Sequence, residues 1–344
     1  MKHIFLIYIF FTSTILFSQE NIRFSRTITS LDLYNHLKIL ASDSLEGRET
    51  GKRGQKMAAD YIKEHFKKIG IPPYLNNTYY QKFKVKKGRH LCKCDDCDVD
   101  IIKKIIGVSN YIHGENVIGY IEGTDLKEEL LIITAHYDHL GKHDSLIFNG
   151  ADDDASGTVA AMEIAEAFMI AKNEGYGPRR SVLIMAVSGE EKGLLGSKYY
   201  TDNPLYSLEN TVANLNIDMI GRIGDFHTNP NYVYLIGSDM LSTDLHNLSE
   251  EVNKKYINLK LDYTFNAKDD PNRYYYRSDH YNFAKNNIPV IFYFNGIHED
   301  YHKTTDTIEK IDFDKIQKIT RLIFLTAWEI VNRDQRIVVD RDQN

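Results

Sequence analysis

The sequence predicts an α/β protein: a mixed, largely parallel central sheet covered by helices on both faces. Three observations carry that expectation. Short apolar runs alternate with stretches of 3.6-residue periodicity, the signature of strand and helix in turn. The runs themselves are almost wholly apolar, as strands buried on both faces are. Acidic and imidazole clusters follow directly on the ends of those runs, where open α/β sheets collect their ligands. The 344 residues are 42% apolar, enough for one large domain of roughly 250 to 300 residues or two smaller ones.

Taken in order, residues 1–18 read as a secretory signal, with Lys2, an apolar run from Ile4 to Phe11 and small Ser18 at the cleavage point. The run is short of the roughly 20 apolar residues of a spanning helix; an uncleaved anchor is the rival reading. Residues 19–344 then form a single domain, with its motif core at about 117–330 and a Cys-containing insert near 85–105. Residues 30–71 read as two helical pieces broken over 43–51. The second piece carries Met57, Ala58, Tyr61, Ile62 and Phe66 on one stripe and stops at Gly70. Over 72–116 no pattern is legible. Strands are expected at 130–135, 181–187, 212–217 and 290–294. Helices are expected at 156–171, where Val159, Met162, Ala165, Phe168 and Met169 share a face, and near 194–200, 242–255 and 313–332. There is no internal repeat.

Charge and cysteine usage narrow the function. The chain carries 42 Lys and Arg against 48 Asp and Glu, a formal charge of −6, which argues against duplex nucleic acid as a partner. Only 3 Cys are present, too few for a disulfide-held fold. All three sit in His90-Leu-Cys92-Lys-Cys94-Asp-Asp-Cys97. That cluster reads as a local Cys94–Cys97 disulfide, as a small metal knuckle with His90, or as reduced thiols.

The chemistry-bearing residues sit after the apolar runs. His136-Tyr137-Asp138-His139 follows the first. Asn149-Gly150-Ala151-Asp152-Asp153-Asp154-Ala155-Ser156-Gly157 leads into a helix. Ser188-Gly189-Glu190-Glu191-Lys192-Gly193 follows the second run, Asp218-Met219 the third, and the segment from His298 to Thr307 the last. Taken singly these signals are weak, since an Asp before a helix is usually an N-cap and a Glu pair usually solvated surface. Brought to one sheet edge, however, two His and several carboxylates would repel unless cations sat among them. Imidazole and carboxylate ligands suit zinc or a similar divalent ion.

The ordered set His136-x-Asp138, Gly150-Ala-Asp152-Asp-Asp-Ala-Ser-Gly157, Ser188-Gly-Glu190-Glu191, Asn216-Ile-Asp218-Met219 and Tyr301-His302-x-x-x-Asp306-Thr307 resembles the co-catalytic zinc exopeptidases of metallopeptidase family 28. That family includes bacterial leucyl aminopeptidases and glutamate carboxypeptidase II. The resemblance spans about residues 30–330, and Ser278-Asp279-His280 matches a further family segment. It implies the phosphorylase/hydrolase-like α/β/α sandwich of zinc-dependent exopeptidases. It also implies two zinc or similar divalent ions, His136 and Asp218 holding one, Glu191 and His302 the other, and Asp152 bridging both. Asp138 would hydrogen-bond His136 and fix its tautomer. Glu190 would be the general base, and Tyr301 would donate to the developing oxyanion, with Tyr275 and Tyr276 as competitors.

The activity implied is hydrolysis of peptides, with removal of N-terminal residues as the leading reading. The product would be a secreted or periplasmic enzyme with no membrane association after signal cleavage. Three alternatives stand beside it. One is a single-zinc glutaminyl cyclase, whose last motif usually carries Trp where this chain has Tyr301. Another is a carboxypeptidase or dipeptidase of the same family. The remotest is a receptor-like binding protein with a dead site, which the full ligand set argues against.

Overall fold

Residues 20–74, 77–86 and 111–341 are described by a computed structural model. The expected two-piece helix is α1 (Ser30–Leu40) and α2 (Arg53–Lys68), separated by a 3-10 segment, Asp43–Arg48. The Thr29 hydroxyl accepts from the Asp32 amide at 3.1 Å and caps α1. Beyond α2, Gly70 takes a φ of 89°, a left-handed turn that Gly enters without steric cost.

The main sheet is built from β1 (Tyr80–Lys86), β2 (Tyr111–Ile121), β3 (Leu126–His136), β6 (Arg180–Val187), β7 (Thr211–Ile217), β8 (Tyr232–Ile236), β9 (Lys260–Asp262) and β10 (Val290–Phe294). A separate hairpin joins β4 (Gly141–His143) to β5 (Leu146–Phe148). The sheet order is β1-β2-β6-β3-β7-β10-β8-β9. The central four, β6-β3-β7-β10, are mutually parallel, whereas β1, β2 and β8 join antiparallel.

The parallel centre is the part that sequence periodicity predicts, and the margins are the part it misses. Residues 72–116, read as patternless, contain β1 and the start of β2. On β1 the buried Gln81 and Phe83 alternate with exposed Lys82, Lys84 and Lys86, a period of two with the lysines that edge strands use against further pairing. β8, also unanticipated, is buried along its whole length.

Alternation along the central strands feeds two cores. Leu131, Ile133 and Ala135 of β3 join one, and Leu130 and Ile132 the other. The larger core is roofed by α1, α3 (Gly157–Asn173) and α7 (Phe313–Asn332); the smaller by α4 (Leu195–Asp202) and α6 (His280–Ala284). α5 (Thr243–Val252) packs beside α7. The expected apolar stripe of α3 understates its burial. Thirteen of its 17 residues are buried, because α1, α2 and α7 all pack against it from outside. Consequently every central strand points its carboxyl end at one rim, and that rim holds the site.

The signal segment and the cysteine cluster expected above lie outside the described residues.

Candidate active site

β3 ends on His136, whose backbone amide donates to Asp154 Oδ2 at 3.1 Å. Its Nδ1 lies 3.1 Å from the main-chain carbonyl of Asp138, which assigns the proton to Nδ1 and leaves Nε2 free to ligate. The Asp138 carboxylate stands farther off, at 3.9 Å. It instead accepts from the Thr50 hydroxyl at 2.5 Å and the Glu190 amide at 3.3 Å. The Asp138 contact to His136 Nδ1 is thus made by its main-chain carbonyl, and its carboxylate ties the turn at Thr50, between the 3-10 segment and α2, to the loop after β6.

The three consecutive aspartates face three ways. Asp154 accepts from the amides of His136, Gly157 and Met219, a bracket between two strand ends. Asp152 turns away from the cleft, accepting from the Gly221 amide at 2.6 Å with Oδ2 at 3.1 Å from His298 Nε2. Asp153 stands between the imidazoles: Oδ1 is 3.2 Å from His136 Nε2, and Oδ2 is 3.1 Å from His302 Nε2 and 3.7 Å from His139 Nδ1. The carboxylate that stands between the imidazoles is thus that of Asp153, while Asp152, expected to bridge, faces the Gly221 amide and His298. The backbone leaves helical geometry at Asp153 and Asp154, so neither helical nor strand periodicity applies there. Asp306 holds this loop, its carboxylate accepting from the amides of Asp152 and Asp153 at 3.1 and 3.2 Å; burial and the neighbouring Asp152 push its carboxyl up to about 6.

Two ligand-like groups result, both containing Asp153. One is His136, Asp153 and Asp218; the other is His139, Asp153 and Glu191, with ligating atoms within 4.8 Å of one another in each. His302 joins the second, 3.4 Å from Glu191 Oε1. His139, absent from the sequence expectation, is fully buried, with Nδ1 2.9 Å from Glu191 Oε1; its signal was the second His of His136-Tyr-Asp-His139. Burial and Asp153 push the Glu191 carboxyl up, but His139 and His302 outweigh them and hold it at about 2. Asp218 is oriented by a relay in which Thr134 donates to Asn216, Asn216 to Ser278, and Ser278 to Asp218 Oδ2 at 2.6, 2.8 and 2.7 Å. Glu190 lies beside Glu191; burial pushes its carboxyl well up, with Asp218, Asp279 and Glu191 adding to the shift.

A divalent-cation fit can be tested on unpaired atoms. Both ring nitrogens of His139, Asp153 Oδ2 and Glu191 Oε1 are buried and make no well-formed hydrogen bond, although His139 Nδ1 lies 2.9 Å from Glu191 Oε1 and Asp153 Oδ2 3.1 Å from His302 Nε2. Leaving such groups unpaired costs about 1 to 3 kcal/mol each, and a cation among them would remove that cost. The donor set fits.

Arg48 braces the floor from below. Its buried guanidinium donates to the carbonyls of Tyr137, Leu40, Asn149 and Gly150 at 2.6–2.9 Å, and burial lowers its pKa to about 10. The 43–51 break between α1 and α2 thus reaches under both metal-facing loops. The cleft above spans about 350 Å³, open solvent included. His136, Asp153, Glu190, Asp218 and His302 form its polar side, Met219, Phe292, Phe294 and Ile297 its apolar wall, and Tyr274, Arg277 and Tyr301 its rim. Tyr301 stacks on His302 with ring centroids 3.9 Å apart. Its competitors Tyr275 and Tyr276 line a neighbouring cavity instead.

Residues 116–327 match the sequence profile of Peptidase family M28. Over 231 residues the chain is 26% identical to aminopeptidase YwaD of Bacillus subtilis, covering 64% of this chain and 46% of that protein. It is similar in structure to the LapA aminopeptidase of Legionella pneumophila, with TM-score 0.68 and 21% identity over 92% of this chain and 76% of that one. It is also similar to the glutaminyl cyclase of Porphyromonas gingivalis, with TM-score 0.63 and 17% identity over 88% and 99% of the two chains. The chain spans about half or less of the length of the curated relatives it matches.

Proposed function

This chain belongs to peptidase family M28, and we propose that it is a zinc exopeptidase that removes residues from the free amino end of peptides. One observation supports this above the others: two groups of buried imidazole and carboxylate atoms share Asp153 at the floor of an open cleft. We assign His136 and Asp218 to one ion, Glu191, His302 and His139 to the other, and Asp153 to both. Two divalent ions so held would polarise a scissile carbonyl and make hydroxide available near neutral pH.

The chain's own residues supply the rest. Glu190, whose carboxyl is raised by burial, takes the proton of the attacking water and returns it to the leaving amine. Tyr301, held flat on His302, donates to the oxyanion as charge develops. The wall of Met219, Phe292, Phe294 and Ile297 receives an apolar first side chain. Secretion, proposed from residues 1–18, accompanies this reading; among the described residues no helix is long and apolar enough to cross a membrane.

Arg277 on the rim supports a second reading, a dipeptidase or carboxypeptidase in which the guanidinium pairs with the substrate carboxylate. Cyclisation of N-terminal Gln is the alternative on the shared fold; it runs on a single zinc, and the two groups around Asp153 favour hydrolysis. Metal analysis with a panel of free and N-blocked dipeptides separates the three. Free dipeptides and longer peptides turned over, with two ions bound, is the expected result. Cleavage of blocked substrates alone would overturn the amino-end assignment, and exclusive cyclisation of N-terminal Gln would overturn hydrolysis.

A further inference from the structure

A second constellation of ligand-type side chains lies away from the cleft, where α1, α2 and α3 meet. α1 supplies His36, α2 supplies His65, and α3 supplies Glu163 and Glu166, three residues apart and hence on one helical face. One atom each from His36, His65 and Glu166 falls within 4.8 Å of the other two. His36 Nε2 is 3.3 Å from Glu163 Oε1, and His65 Nε2 is 3.8 Å from Glu166 Oε2. The two imidazoles meet edge to face at 4.6 Å. This cluster sits on α3 about 9 Å past Gly157, where the helix leaves the active-site loop.

We propose that His36, His65, Glu163 and Glu166 form a further divalent-cation site, taking zinc or a similar first-row ion and clamping α1, α2 and α3 together behind the sheet. Glu163 carries the argument. Its side chain is 4% exposed, in a helix buried nearly all round, and its Oε1 makes no well-formed hydrogen bond, its one polar neighbour being His36 Nε2 at 3.3 Å. A buried carboxylate is costly unless paired or metal-bound. Glu166, repelled by Glu163 on the same face, nevertheless turns to the same pair of rings. His36 Nδ1 lies 2.7 Å from the Tyr61 hydroxyl, the outer contact that commonly orients a metal-binding imidazole and leaves the other nitrogen free. His65 Nε2 also lies 3.4 Å from the Met162 carbonyl, a contact that ligation would replace. Two imidazoles and two carboxylates match the tetrahedral preference of zinc; its ligand atoms stand roughly 3.3 Å apart at bond lengths near 2 Å, so the His36, His65 and Glu166 atoms, within 4.8 Å of one another, close by up to about 1.5 Å, with Glu163 Oε1 already 3.3 Å from His36 Nε2. Glu166, 40% exposed, marks the way in.

The test is made on the full chain with Zn²⁺ as probe, reading metal per chain by mass spectrometry and thermal midpoint with and without EDTA. Wild type is expected to hold one more equivalent than either His36→Gln or Glu166→Gln, whatever number the cleft holds. An Asp153→Asn chain should keep that equivalent, and Asp153→Asn with His36→Gln should lose it. Peptide turnover in the two single variants should stay within about twofold of wild type. The variants should melt with wild type in EDTA and below it in Zn²⁺. Equal metal content in wild type and both variants would overturn the site. So would a variant melting deficit of the same size in EDTA, which marks a metal-free His–Glu network.

Discussion

Asp152 and Asp153 are neighbours of the same type in one loop, and exchanging each in turn for Asn separates a bridging carboxylate from a bracing one. Asp153→Asn removes the one carboxylate common to both ligand groups, whose oxygens lie 3.1–3.7 Å from three imidazoles. Asn can offer one neutral oxygen and cannot span two cations. The expected outcome is loss of at least one bound ion and a fall in kcat/KM on the order of 10³-fold, about 4 kcal/mol of transition-state stabilisation. Asp152→Asn keeps an acceptor for the Gly221 amide but replaces the charged partner of His298 with a neutral amide, a loss of about 1.5 to 3 kcal/mol in stability. Metal content should hold in that variant, with turnover within about tenfold of wild type. The assays are metal stoichiometry, steady-state hydrolysis of an apolar N-terminal dipeptide, and urea unfolding. An Asp152→Asn chain stripped of metal, beside an Asp153→Asn chain that retains both ions and full rate, would refute the reasoning.

Glu190→Gln should retain metal and fold while turnover falls roughly 10²- to 10⁴-fold, the usual worth of a positioned base; normal turnover at normal metal content would remove Glu190 from the mechanism. Arg48→Met leaves four carbonyls, three of them buried, without their donor and should cost about 3 to 5 kcal/mol in urea unfolding, with a cost under about 1 kcal/mol contradicting the bracing role. His280, fully buried and stacked on Phe292, has its imidazole pushed down to about 3 by burial. Its folded pKa is below the unfolded value near 6.5, so the unfolded chain binds the proton first and stability is lost as pH falls from 6.5 towards 3, by about 3 kcal/mol at pH 4. His280→Phe should remove that share of the acid sensitivity, and an unchanged stability–pH curve would show that His280 takes up a proton while folded.

How much of this was legible beforehand differs between the centre and the margins. The strands at 130–135, 181–187, 212–217 and 290–294 were readable because burial on both faces demands unbroken apolar runs. The rim position of the polar clusters followed because parallel strands all end on one side. β1 and β8 were missed for opposite reasons: the lysines of β1 break up its apolar alternation, and β8 is a short aromatic run that periodicity alone does not assign.

The sequence by itself therefore determined the α/β class, the rim and the residue types gathered there, because composition and periodicity record which side chains must leave water. Tertiary structure decided which atoms meet. It moved the shared carboxylate from Asp152 to Asp153, since side-chain direction in a non-helical loop follows no period. It brought His139 into the second group and gave the orientation of His136 to a main-chain carbonyl. It sent Arg48 from the break between two helices to the underside of the site, and set His36 and His65 against Glu163 across three helices. In each case the deciding contact joins groups whose directions are set by packing, and packing directions are not written in the spacing of residues along a chain.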